Sequence, residues 1–269
     1  MSRQYPNRSS LQKYSCLVIA GVVAVVIIGA ILLIAYLRRH AGTPPGGTTT
    51  TTTRTPTTTT APGALPELAT KPRPTLTTFK GCPAEGDGGD PALNDLKNRV
   101  DDGQYTAVNF DAVANLKWPT GIERQRRANW SAADTAEIAR YEGLPVSVEG
   151  YLAGAKQEGP ESPNCHGADA DFRDFHVWLT PQADDDRSTS IVVEMTPPVR
   201  AKHANWRTDV LGQIVKKNLR VRVSGWLMLD PEHPDQVGKT RATIWEIHPV
   251  MQLDVQQNGK WVALDNFSN

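Results

Sequence analysis

The run Cys16–Leu37 is 22 residues long and carries no charge, and nothing else in the chain restricts its architecture as strongly. At 1.5 Å rise per residue, a helix of that length reaches roughly 33 Å, enough to cross the hydrocarbon core of a bilayer. Tyr14 and Tyr36 stand at its two ends, where aromatic rings favour the interface. A cleaved signal peptide would have an apolar stretch of about 7 to 15 residues and a small-residue cleavage site. This run is longer and ends in Tyr36-Leu37-Arg38-Arg39-His40, so it predicts an uncleaved transmembrane helix over 16–37. Arg3, Arg8, Lys13 and the amino group outnumber Arg38 and Arg39 across it. The positive-inside rule then predicts a single-pass cell-membrane protein, with a cytoplasmic tail at 1–15 and the rest of the chain extracytoplasmic.

Residues 38–78 hold the runs Thr48–Thr53 and Thr57–Thr60 among seven prolines, without apolar periodicity. Such a segment buries too little surface to repay ordering, and it reads as a disordered stalk. Extended at about 3.1 Å per residue, its upper reach is on the order of 100 Å. A Thr/Pro composition also suits an O-glycosylated stalk.

The formal net charge of zero averages unlike parts. Residues 1–73 carry six Arg and two Lys against Glu67 alone, which leaves 21 basic and 28 acidic residues in 74–269, a formal charge of −7. Nucleic-acid binding draws its affinity from phosphate neutralisation by Lys and Arg, so an acidic domain disfavours that partner. Cys82 and Cys165 are the cysteines outside the membrane run. An oxidising compartment makes them a natural disulfide. It would close a loop of about 83 residues, for which chain entropy gives on the order of 4 kcal/mol. A role for Cys165, beside His166, as metal ligand or nucleophile is the alternative.

Two regions follow the stalk. Residues 79–144 read as a helical extension. Asp90-Pro91 opens a helix toward Val100, and Ser131-Ala-Ala-Asp134 resembles a capping box for a helix over 132–141. From 145 to 269 the period changes to two. Strands are predicted from Pro145, over 174–180, 189–196, 219–229 and 241–248, with a helix from His203 to Val215 and a final hairpin around Asn258-Gly259. Three strands, a helix and two strands is the order of the OB-fold, a five-stranded Greek-key barrel. The fold class expected is therefore mainly β with helices: an OB-fold-like barrel, a helical extension and one N-terminal transmembrane helix.

A set of local motifs adds to this. Asn164-Cys165-His166, Asp174-Phe175-His176-Val177-Trp178-Leu179, Ser224-Gly225-Trp226-Leu227, Asp230-Pro231-Glu232-His233-Pro234, Arg241 and Trp245-Glu246-Ile247-His248-Pro249 stand in that order. Together they resemble a group of uncharacterised bacterial membrane-anchored proteins with an OB-fold-like domain. The resemblance covers 145–256, about two fifths of the chain. It implies the fold and a bacterial source, and carries no activity with it.

Five of six histidines lie in the domain, several beside acids. Alternation puts Asp174 with His176 on one strand face and Glu246 with His248 on another, and Glu194 meets His176 if their strands pair antiparallel. Imidazole and carboxylate together suit Zn or Mn, which makes His176, Glu194, His248 and His166 the candidate metal ligands. No spacing matches a template such as H-E-x-x-H, and hydrogen-bonded surface pairs would give the same pattern. Trp178, Trp226 and Arg222 form a second candidate set, since aromatic and Arg side chains on an OB surface hold oligomers by stacking. The competing reading places the tryptophans in the core.

Three functions fit. The first is a membrane-anchored module without a cofactor that binds an envelope glycan or protein partner. The second is a metal-dependent hydrolase, acting on phosphodiesters, with a His/Glu site. The third is a structural component of an envelope complex. Nucleotide-binding loops, nucleophile elbows and Cys-x-x-Cys pairs are missing from 79–269, which sets aside kinase, P-loop, dehydrogenase and thioredoxin chemistry.

Overall fold

In the computed structural model, which describes residues 63–68 and 70–268, the period-two segments close into a barrel. Its strands are β2 (Pro145–Gln157), β3 (Phe175–Thr180), β4 (Ile191–Met195), β5 (Arg220–Leu229) and β6 (Trp245–Gln257), preceded by a short β1 (Thr106–Val108) and followed by β7 (Lys260–Ala263). The path runs β2-β3-β4-β6-β5 and returns from β5 to β2. Every neighbouring pair in it is antiparallel except β4 with β6. This closed, mixed five-stranded barrel is consistent with an OB-like barrel. The span expected at 16–37 and most of the stalk lie outside the described residues, among which no helix is long and apolar enough to cross a membrane.

Closure depends on long strands that serve two neighbours. β2 pairs with β5 through Pro145–Tyr151 and with β3 through Tyr151–Gln157. At the bend the backbones come too close for a side chain: a Cβ on Gly150 would lie 2.4 Å from the Thr180 carbonyl oxygen. Gly225 has the same role in β5, where a Cβ would meet the Pro249 carbonyl oxygen at 2.3 Å. The β5–β6 register shifts there, which lets Pro249 sit inside a strand without breaking a ladder bond. For that reason β6 runs on to Gln257 instead of ending near 248.

The inward side chains of the barrel, among them Val148, Val177, Val193, Val223 and Ile247, are fully buried. The other face of β3 and β4 is buried as well, because the front of the chain folds over part of the barrel. That front holds α1 (Pro91–Lys97), α2 (Phe110–Ala114) and α3 (Ala132–Ile138). The Asp90 side chain caps α1 by accepting from the Ala92 N–H at 3.2 Å. Ser131 Oγ caps α3 by accepting from the Asp134 N–H at 3.1 Å. β1 joins the sheet parallel to β2, which the front's sequence gave no period to predict. Between β4 and β5 stand α4 (Pro197–Arg200) and α5 (Thr208–Lys216). The helix expected from His203 starts only at Thr208, because the Pro197-Pro198 pair that ends β4 opens α4 first. Cys82 and Cys165 are joined in a disulfide, tying the segment just ahead of α1 to the β2–β3 connection.

Candidate functional site

β3, β4 and β6 turn alternate side chains into the core and out of it. Val177, Val193 and Ile247 point inward; His176, Glu194, Glu246 and His248 therefore share the outer face. β3 and β4 pair antiparallel with His176 directly opposite Glu194. The front of the chain covers this face from above. Lys97, the last residue of α1, reaches it because Asn98 is held down by hydrogen bonds to the Ala84 and Pro163 carbonyls, at 2.9 and 2.7 Å. The β2–β3 connection adds Glu158, Glu161 and Asp174, and the β5–β6 connection adds Asp230, His233 and Arg241. Between them lies a cavity of about 360 Å³.

The contacts form a continuous chain of charges. His176 Nδ1 lies 2.8 Å from Glu194 Oε1 and 3.1 Å from Glu158 Oε1. His248 Nδ1 lies 3.4 Å from Glu194 Oε2 and 3.4 Å from Glu246 Oε2. Arg241 Nη1 donates to Glu246 Oε1 at 2.6 Å and to Asp230 Oδ2 at 3.1 Å, and Asp230 Oδ2 also holds His233 at 2.7 Å. Asn164 donates to Asp174 Oδ1 at 3.1 Å, while Asp174 Oδ2 and His248 Nε2 are buried and make no hydrogen bond. Two triads present ligand atoms within 4.8 Å of one another: Glu158, His176 and Glu194, and behind them Asp174, Glu194 and His248.

Ionisation in the cluster reflects burial working against charge. Burial pushes the Glu161 carboxyl up to about 8, helped by the negative charges of Asp174 and Glu194. Asp174 rises to about 6 by burial and by the Glu194 charge. Burial acts the other way on His176, but its hydrogen bonds to Glu158 and Glu194 win and raise it to about 9. The same opposition leaves His248 raised, with the Glu194 charge overcoming burial. Glu194 resists its own burial and is held below the usual carboxylate range by His248 and His176. Burial would lower Lys97, but the charges of Asp230, Glu194, Glu232 and Glu161 hold it above the ordinary lysine range.

Of the residues singled out in the sequence, His176, Glu194 and His248 come together. His166 does not join them: it is exposed, with Nε2 3.0 Å from the Asp87 carbonyl oxygen. Cys165 is committed to the disulfide and is neither ligand nor nucleophile. Trp178 lines the same cavity, with the Arg187 guanidinium 3.9 Å and the His176 ring 4.6 Å from its own ring. Trp226 is in the core beneath Arg99, and its Nε1–H donates to the Asp101 carbonyl at 3.0 Å. Arg222 lies elsewhere, paired with Glu149 and placed over Trp261. Sequence reading did not mark Lys97, Glu158, Glu161, Asp230 or Arg241 as site residues. A usable signal was present for two of them, because Asp230 and Arg241 belong to the motif set.

Compared with known proteins, the chain matches no family model, no curated protein and no solved structure.

Proposed function

We propose that this chain is a membrane-anchored, extracytoplasmic OB-like module whose cavity on the β3–β4 face captures a divalent transition metal, Zn or Mn. The observation that carries the reading is the triad of Glu158, His176 and Glu194, whose ligand atoms lie within 4.8 Å of one another on the cavity side of the barrel. Two carboxylates and an imidazole suit either metal. The position supports the reading independently. OB-folds take ligands on the face of their second and third strands, between the first and the last strand connections. Those elements correspond to β3, β4, the 158–174 segment and the 230–244 segment, which supply this cavity's walls. The acidic charge of the domain favours a cation over an anionic polymer.

A second reading, metal-dependent hydrolysis of phosphodiesters, is favoured by the space of about 360 Å³ beside the triad, which leaves room for a substrate next to a bound ion. Elemental analysis of the full chain, purified in detergent and dialysed, tests the first reading. At least one divalent ion per chain is expected in the wild type and less in His176→Ala. At a hundredfold excess over Kd the metal contributes about 2.7 kcal/mol, a rise in Tm of roughly 5–10 °C. No bound metal, and no rise in Tm with Zn²⁺ or Mn²⁺, would sink the proposal. Metal-dependent cleavage of a chromogenic phosphodiester, lost in His176→Ala, separates the hydrolase from the binding module.

A further inference from the structure

Glu194 belongs to both triads, and each of its two oxygens has a different imidazole as neighbour. Oε1 is 2.8 Å from His176 Nδ1, and Oε2 is 3.4 Å from His248 Nδ1. A carboxylate that divides its oxygens between two imidazoles has the disposition of a ligand bridging two cations, which in two-metal sites stand about 3.5–4 Å apart. We infer that the site is dinuclear: an outer divalent ion held by Glu158, His176 and Glu194, and an inner one held by Asp174, Glu194 and His248. The inference rests on the metal-binding reading above and extends it from one ion to two.

Three observations carry it. Asp174 and His248 are both 1% exposed, yet Asp174 Oδ2 and His248 Nε2 make no hydrogen bond. Buried polar atoms are nearly always partnered, so one orphaned atom on each of these two side chains points to a ligand. The charge count is the second. Glu158, Glu161, Asp174, Glu194, Asp230 and Glu246 set six carboxylates against Lys97, Lys156 and Arg241, a formal −3 that a single divalent ion leaves negative. The third is the ligand spacing. The nitrogen–oxygen separations of 2.8–3.4 Å are close to the distances between neighbouring ligands of one ion bound at about 2.0–2.2 Å, so small side-chain shifts admit the metal. Asp174 and His248 do not reach the cavity, whereas Glu158, His176 and Glu194 line it. The inner ion is thus enclosed and the outer one faces the cavity, where an additional ligand or substrate meets it.

The test is Mn²⁺ stoichiometry of the full chain in detergent, read together with electron paramagnetic resonance. Two Mn²⁺ per chain are expected, with a spin signal well below that of the same amount of free Mn²⁺ because the ions couple through Glu194. His176→Ala and Asp174→Asn should each hold one ion with an uncoupled signal, and circular dichroism identifies any variant that has not folded. The wild-type count is decisive without the variants. One ion per chain at saturation overturns the dinuclear site and leaves the metal-binding reading standing; none overturns both. Two ions with fully uncoupled spectra also overturn it, since the bridge would then be missing.

Discussion

Arg241 shows most clearly what a single residue does here. It is 4% exposed and its guanidinium neutralises Asp230 and Glu246, both buried. Removing one partner of a buried pair leaves an uncompensated charge and costs about 3–5 kcal/mol. Arg241→Ala should therefore destabilise the domain by about that much in denaturant unfolding, and a loss below about 1 kcal/mol would contradict the pairing. The raised groups set a pH dependence. His176, Glu161 and Asp174 have folded values near 9, 8 and 6 against ordinary values of 6.5, 4.5 and 3.8. Each contributes stability that is complete below its ordinary value and is lost as pH rises through the folded one. Glu194 and Asp230, held low, contribute stability that is lost only in acid, below the ordinary carboxylate range. The metal-free protein should thus lose Tm steadily between about pH 5 and about pH 9, and saturating Zn²⁺ should reduce that slope by replacing protons. A metal-free Tm that climbs over this window would contradict the assignment.

At the level of elements, the barrel strands were readable because each buries alternate side chains, and that constraint writes period two into the sequence. His176, Glu194 and His248 were readable for the same reason, since alternation and one antiparallel pairing put them on one face. β1 was not, because three residues joining the edge of β2 carry too little pattern to stand out. Lys97 was hidden by a different physics. Nothing local marks a lysine at the end of a seven-residue helix as buried; its place depends on Asn98 anchoring α1 to the Pro163 carbonyl, 65 residues away. Trp226 suited a binding surface as well as a core by pattern alone, with the core favoured, and the structure puts it in the core under Arg99 and Asp101. The glycines at the strand bends give an element-scale prediction. Gly225→Ala forces a Cβ against a backbone oxygen that cannot move without breaking the β5–β6 register. It should cost about 1–3 kcal/mol in unfolding measurements. Gly212→Ala, in α5 with nothing within 4 Å, should be neutral or slightly stabilising by comparison.

For the whole molecule, the proposed arrangement joins the charge-free run at 16–37, the Thr/Pro-rich segment and the acidic domain: a cation site that would be held on the outer side of a membrane. The disulfide agrees with that compartment, since such bonds persist where the environment is oxidising. Protease added to intact cells should then release the domain, while protection until the membrane is opened would reverse the orientation. The arrangement matters only if the site holds a metal. The most direct test is a crystal of the protein grown with Zn²⁺, with anomalous diffraction recorded on both sides of the zinc absorption edge. The account predicts an anomalous peak between His176, Glu158 and Glu194, with a second beside Asp174 and His248. Density for well-ordered side chains in this cluster, with zinc found only at other places or nowhere, would contradict it.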